Sequence, residues 1–282
     1  MPVKEVPLIK EALKFGYETL QSRPSYRLES EILLSHVLNV GRPYLYSHDQ
    51  QPLSNKEWQT FQDFCLRCKK GEPIAYLTGY KEFWSLEFEV NKHTLIPRWE
   101  TELLVQATLE KFARESQLAV LDLGVGCGAL AVALAVERPA WDIYAVDISG
   151  DAIEVAKRNA GKYHAKNITF VESDWFLQMP QQKFDAIVSN PPYIAESDPH
   201  LAALNSEPPA ALVSGKDGLD ALGKIIEGAP DFLNQDGWLL LEHGYDQAER
   251  VRTLLHTRGF TAVKSHPDLG NIERITIAKW VR

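Results

Sequence analysis

LAVLDLGVGCGALAVALA, residues 118–135, decides the fold. Leu118–Leu123 is a short apolar run of strand length, and Ala129–Ala135 is a run of good helix formers. Between them stand Gly124, Gly126 and Gly128. Glycines at a strand-to-helix turn let the chain bend tightly and let a ligand approach the backbone. Their spacing is G-x-G-x-G, not the G-x-G-x-x-G that seats a pyrophosphate. A nicotinamide enzyme would place the third glycine one residue later and add a hydride-handling group downstream, and neither is found. Asp122 precedes the turn, and the next strand, WDIYAVD, ends on Asp147. A carboxylate there can accept both hydroxyls of a ribose. The plainer alternative is a structural turn, with Asp147 and nearby Ser149 capping the following helix.

Working outward, β and α segments alternate from about Arg98 to the end of the chain. Helix TELLVQATLEKFARE leads to the opening strand and helix, then strand WDIYAVD, helix DAIEVAKRNAGKYH, and strands NITFVES and FDAIVSN. A helical stretch near Gly218–Phe232 follows, then strand GWLLLEH, helix QAERVRTLLHTR, and strands FTAVKSH and ERITIAKW. Strands separated by helices of about 10–15 residues predict an α/β, doubly wound, mostly parallel sheet. The last two strands arrive close together, as an antiparallel edge requires.

The front of the chain reads differently. Apolar residues recur at helical spacing through Leu8–Leu20, through Leu28–Leu38 and through Trp58–Cys68. The second helix is expected to start near Ser30 and to end at Gly41-Arg42-Pro43. KEFWSLEFEVNKHTLIP reads as short strands joining the two parts. The expected organisation is a helical domain over 1–80, a hairpin linker over 81–97 and a catalytic domain over 98–282.

Bulk properties narrow the function. A net charge of −8 argues against a broad nucleic-acid footprint, which normally appears as a basic stripe. Three cysteines, an odd number, fit a reducing compartment without a disulfide framework. Cys65 and Cys68 form a C-x-x-C without a second pair, and they fall on an apolar helix stripe, so small buried side chains are expected there. The opening MPVKEVPLIKEALKF has frequent charges and no apolar h-region, and no run approaches a membrane span. A cytoplasmic protein is expected.

The chemistry concentrates in SNPPYIA, residues 189–195. Asn190 ends the fourth strand of the alternating region, where open α/β sheets bind their ligands. Two adjacent prolines fix φ and present carbonyls without N–H donors. A planar amide or aromatic amine has a delocalised nitrogen lone pair. Gripping both of its N–H bonds, with the Asn190 side-chain carbonyl and the Pro191 backbone carbonyl, would orient that lone pair. Tyr193 can stack on the planar group.

The glycine loop and Asp147 resemble the S-adenosyl-L-methionine pocket of Rossmann-like methyltransferases. That resemblance implies Gly124, Val125, Gly126, Cys127 and Gly128 against the cofactor, with Asp147 on its ribose. It also puts Asp174, Trp175 and Asn190 near the cofactor, Asp174 accepting from the adenine amine and Trp175 offering an apolar face. Trp175 as a core aromatic is the alternative.

Over nearly the whole chain the sequence resembles the bacterial peptide chain release factor glutamine N5-methyltransferases. The carrying stretches are RCKKGEPIAYLTGYKEFWSLEFEV, LIPRWETE, DLGVGCGALAVALA, SNPPYI, SEPPAALVSGKDGLDAL and GWLLLEHGYDQ. The resemblance implies a Rossmann-like seven-stranded methyltransferase domain preceded by a small helical domain that helps dock release factors. It implies methyl transfer to the glutamine of a Gly-Gly-Gln motif, S-adenosyl-L-homocysteine as product and no metal. Asn190 and Pro191 become the catalytic acceptors, and Asn190, Pro191, Pro192 and Tyr193 the substrate-binding turn. Trp99 stands where the family usually has proline, and Val125 and Cys127 where hydroxyl residues are common, which bears on cofactor affinity. Arg98 and Glu100 either anchor the segment near the cofactor or form surface ion pairs. Glu242 and His243 either line the pocket or serve in helix capping or core pairing. Two other functions stay open: a nucleic-acid exocyclic-amine methyltransferase, which needs a basic cleft, and a non-enzymatic docking module, which predicts a ruined substrate turn.

Overall fold

A computed structural model describes residues 6–281; Met1–Glu5, part of the opening stretch read for a leader, and Arg282 lie outside them. The chain forms two compact units that divide between Gly79 and Tyr80.

The first unit is helical: α1 (Ile9–Leu20), α2 (Tyr26–Leu38), α3 (Arg42–Ser47), α4 (Asn55–Lys69) and α5 (Ile74–Thr78). Its core gathers Ile9, Leu13, Leu20, Leu33, Leu34, Leu45, Phe61, Cys65 and Cys68. The second helix starts at Tyr26, not near Ser30, because Ser30 is a buried interior position whose hydroxyl bonds back to Tyr26 O at 2.7 Å. It ends at Leu38, where Asn39 takes the left-handed conformation at φ 54°. Arg42-Pro43 therefore opens a helix of its own, proline being tolerated in a first turn that has no N–H partner to lose. Ser54 and Glu57 close a capping box at the start of α4, at 3.2 and 2.6 Å. Glu31 is 4% exposed. Arg42 reaches it at 2.5 and 2.9 Å, and Tyr17 and Tyr46 donate their hydroxyls to it.

The second unit opens with an antiparallel hairpin, β1 (Tyr80–Phe83) and β2 (Leu86–Glu89). It continues with α6 (Glu102–Lys111), β3 (Ala119–Leu123), α7 (Ala129–Glu137), β4 (Asp142–Asp147), α8 (Gly150–Lys162), β5 (Ile168–Glu172) and β6 (Phe184–Ser189). It closes with α9 (Asp220–Gly228), β7 (Leu233–Glu242), α10 (Ala248–Arg258), β8 (Thr261–Pro267) and β9 (Glu273–Lys279). The hairpin is fastened to α8: Glu89 N donates to Asn159 Oδ1 at 2.8 Å and Glu87 N to the Tyr163 hydroxyl at 2.6 Å.

Seven strands form one sheet in the order β5-β4-β3-β6-β7-β9-β8. β3 to β7 run parallel; β9 is antiparallel to both β7 and β8. The α/β, mostly parallel sheet with an antiparallel edge read from the sequence is thus present. From β3 the chain walks outward through β4 to β5, then returns to place β6 on the other side of β3. That reversal opens a crevice past the carboxyl ends of β3 and β6. Ala129–Ala135 of α7 are all buried, the pattern of a helix enclosed on every face.

Candidate active site

The glycine loop starts where β3 ends. Gly124 N and Val125 N both donate to Val146 O at 2.8 Å. Gly126 N donates to Asp147 Oδ2 at 2.8 Å and Ser149 N to Asp147 Oδ1 at 2.9 Å. The Asp147 carboxylate thus ties the loop to the end of β4 through both of its oxygens. Burial raises its pKa, and these amide hydrogen bonds pull it back. Ser149, rather than Asp147, caps α8, its hydroxyl accepting from Ala152 N at 3.2 Å. Gly124 has φ +82°, a conformation that disfavours any side chain. The third glycine serves packing: a Cβ on Gly128 would lie 3.1 Å from the Ala156 Cβ. It lets α7 approach α8.

A cavity of about 400 Å³ opens beside this loop. Gly124, Gly126, Asp147, Asp174, Trp175 and Asn190 all line it, brought together from the ends of β3, β4, β5 and β6. Val125 and Cys127 line a smaller hollow of about 50 Å³ that shares Leu95, Gly124, Gly126 and Asn190 with the larger one. Asp122 faces the same hollow. It is 1% exposed, and its Oδ2 has no hydrogen-bond partner among the described residues. Burial, and secondarily the charge of Asp147, push its pKa up to about 8. An acceptor stranded in this way calls for a donor from a ligand. The Cys127 thiol is driven up to about 12 by burial and remains a thiol, so its environment supports a small loop side chain and not a nucleophile.

Trp175 has φ 51°, uncommon for a residue with a bulky side chain. The turn is held by Ser173, whose hydroxyl donates to Trp175 O at 3.0 Å and accepts from Gln178 N at 3.0 Å. Sequence reasoning missed the cavity walls Lys92, His93, Thr94 and Leu95, and Pro208, Ala210 and Ala211. The second group belongs to SEPPAAL, whose only signal was the family resemblance. Its anchor is Glu207, 4% exposed, which accepts from Ile96 N at 3.0 Å and pairs with Arg98. Arg98 therefore fastens a cavity wall.

The turn after β6 divides its residues. Ser189 Oγ donates to Leu123 O at 2.6 Å, holding β6 against β3. Asn190 Nδ2 donates to Thr101 Oγ1 at 2.9 Å. Pro192 lines the cavity and Pro191 is buried. Tyr193 lines neither cavity; its ring packs on the sheet core, and its hydroxyl donates to Glu242 Oε1 at 3.1 Å. Burial, then the Glu242 charge, raise the tyrosine pKa. Glu242 is itself pushed up to about 7 by burial, with the Thr101 and Tyr193 hydroxyls working in the opposite direction. Its Oε2 nevertheless has no hydrogen-bond partner among the described residues. His243 bonds Gly244 O at 3.0 Å and Thr276 Oγ1 at 2.9 Å inside the fold.

The chain then leaves the site and comes back. Ile194 pairs with Val213 in an isolated bridge, and Glu196 N donates to Gly215 O at 2.9 Å. Gln247 Nε2 donates to Tyr193 O at 3.0 Å. A Cβ on Gly218 would lie 2.3 Å from that same carbonyl, so only glycine fits.

Cys65 and Cys68 are fully buried in the helical unit, with pKa values raised to about 12 and about 11, mainly by burial. Among the described residues no cluster of three His, Cys, Asp or Glu could hold a metal, and no helix is long and apolar enough to cross a membrane.

Comparison with known proteins gives the following. The PrmC N-terminal domain matches residues 11–79, and the methyltransferase small domain matches residues 100–206. The release factor glutamine methyltransferase of Xylella fastidiosa (strain 9a5c) is 45% identical over 255 residues, 90% of this chain and 93% of that protein. That of Coxiella burnetii (strain RSA 493 / Nine Mile phase I) is 43% identical over 272 residues, 96% of this chain and 98% of the other. A methyltransferase from Pyrococcus furiosus matches with a TM-score of 0.54 at 20% identity, covering 78% of this chain and 98% of that one. At that identity the likeness bears on fold alone.

Proposed function

The chain belongs to the release factor glutamine methyltransferase family, and we propose that it methylates the side-chain amide nitrogen of the glutamine in the Gly-Gly-Gln motif of peptide chain release factors. The observation that carries this reading is the orientation of Asn190. With Nδ2 committed to Thr101, its Oδ1 is left as an acceptor beside the cavity. Such an acceptor suits an N–H donor, as a primary amide supplies.

The residues present fit S-adenosyl-L-methionine. Asp122 offers a buried unpartnered oxygen to an ammonium, Asp147 presents its carboxylate at the cavity for ribose hydroxyls, and Gly124 leaves the backbone open beside Trp175. Asp174 accepts from the adenine amine, and Trp175 covers its face. When bound, S-adenosyl-L-methionine supplies an electrophilic methyl group on a sulfonium.

The protein's part is orientation. Asn190 Oδ1 takes one N–H of the substrate amide and the Pro191 carbonyl takes the other, which turns the nitrogen lone pair toward the cavity. Proline at 191 and 192 holds φ fixed, so the two acceptors keep their spacing. As the nitrogen becomes cationic, both carbonyl dipoles stabilise the developing charge. Tyr193 closes the turn from the core side, and the helical unit provides a docking surface for the release factor.

Incubation with labelled S-adenosyl-L-methionine and a release factor tests this. Label is expected on the factor and absent from its Gln→Ala variant; label on that variant, or on DNA or RNA alone, rejects the reading.

A further inference from the structure

A side-chain amide can present either end to a substrate, and an acceptor role for Asn190 requires its oxygen to face outward every time. The determinant is Thr101, 6% exposed, whose Oγ1 lies 2.9 Å from Asn190 Nδ2. A hydroxyl carries one proton, so Thr101 accepts from Asn190 reliably only if that proton is drawn elsewhere. Glu242 draws it. This carboxylate ends β7, is 1% exposed, and already takes the Tyr193 hydroxyl on Oε1 at 3.1 Å. Its Oε2 is buried without a hydrogen-bond partner among the described residues, an acceptor in want of a proton, and the Thr101 hydroxyl acts on its charge. Above about pH 7, where Glu242 is ionised, its carboxylate can only accept. The Thr101 proton therefore points to Glu242, its lone pair points to Asn190, and the amide is set with Oδ1 outward.

We infer that Thr101 and Glu242 are positioning residues for the methyl transfer. Glu242 sets the polarity of the Asn190 amide through Thr101 and holds the Tyr193 ring through its hydroxyl, so one buried carboxylate governs both ends of the substrate turn. This rests on the reading of Asn190 as the acceptor of the glutamine amide.

The test uses the full chain, a release factor and labelled S-adenosyl-L-methionine, with kcat and KM measured for Thr101→Val, Thr101→Ser and Glu242→Gln. Thr101→Val keeps shape but offers no acceptor to Asn190, and kcat is expected to fall about 10- to 100-fold, the cost of a misplaced reacting group. KM for the release factor and the affinity for S-adenosyl-L-homocysteine, measured by calorimetry, should stay within about twofold, since a role confined to orientation leaves binding intact. Thr101→Ser should restore kcat. Glu242→Gln, whose amide can donate to Thr101 and reverse the chain, should lose kcat as Thr101→Val does. Combined with Asn190→Ala, Thr101→Val should cost nothing further, because both act through the same group.

Unchanged kcat in Thr101→Val, losses that multiply with Asn190→Ala, or failure of serine to rescue at an unchanged melting temperature each overturn the inference. If Thr101→Val does not fold, Glu242→Gln alone and with Asn190→Ala decides by the same criteria. A wild-type protein that leaves the release factor unlabelled refutes the function beneath; a wild-type protein that labels it, with an indifferent Thr101→Val, refutes only this.

Discussion

The two units bury carboxylates in opposite ways. In the helical unit Glu31 is 4% exposed and surrounded by donors, with Arg42 at 2.5 and 2.9 Å and two tyrosine hydroxyls. Burial alone would raise its pKa, but Tyr46, Arg42 and Tyr17 outweigh burial and lower it. In the sheet unit Asp122 and Glu242 are each 1% exposed, each has an oxygen without a hydrogen-bond partner, and each is raised, to about 8 and about 7. Glu31 completes its hydrogen bonds inside the chain and specifies a fold; Asp122, beside the smaller hollow, is held ready for a partner from outside, and Glu242 acts one step back, on residues of the turn after β6.

The largest effect should come from removing a group held ready. Asn190→Ala is expected to lower kcat about 10²- to 10³-fold, the usual cost of deleting one oriented dipole at a reacting centre. Thermal melting should change little, and a large loss of stability instead would break the contrast. Next, Asp122→Asn should weaken S-adenosyl-L-homocysteine binding about 10-fold or more, the worth of a charge-assisted hydrogen bond. The same variant should melt higher than wild type at pH 8, because it relieves a buried charge. Calorimetry and melting on one sample check both signs.

Glu31→Gln should do the reverse. It leaves cofactor binding unchanged and lowers stability by about 1–3 kcal/mol, since Arg42 and the tyrosines lose their charged partner. The last contrast is the pH dependence. Asp122 and Glu242 keep their protons in the folded chain to about pH 8 and about pH 7, whereas in the unfolded chain they lose them near about pH 4. The folded state binds more protons between these limits, so their contribution to stability falls as pH rises through that window. Glu31, being lowered, contributes stability above the ordinary carboxyl range and loses it as pH falls through its folded value. Melting curves of wild type, Asp122→Asn and Glu31→Gln across pH should separate the two slopes.

What was legible in the sequence follows the same division. The glycine loop, Asp147, Asp174, Trp175 and Asn190 each end or follow a strand, and the rule that parallel strands converge at one edge brings them together without further information. The partners that aim them lie far off in the chain. Asn190 and Thr101 are 89 residues apart, Tyr193 and Glu242 are 49, and Glu207 and Ile96 are 111. No local spacing announces such pairs, and Tyr193 reads equally well as a stacking wall until Glu242 is seen on its hydroxyl. The second helix begins at Tyr26, four residues before Ser30, for a smaller reason of the same kind: the burial of Ser30 depends on neighbours that lie elsewhere in the chain.

The segment from Tyr193 to Gly218 bears on how the protein could change. Both its ends are fastened, by the Ile194–Val213 bridge, by Glu196 on Gly215 and by Gln247 on the Tyr193 carbonyl. Its middle, the 3-10 helix Pro199–Leu204, contains no buried residue. Lengthening a loop whose ends are already pinned costs little, about 0.6 kcal/mol for each doubling. The span between Ser197 and Ser206 is therefore the place where insertions, natural or engineered, can accumulate while the Asn190–Tyr193 turn and the cavity wall behind it stay where they are.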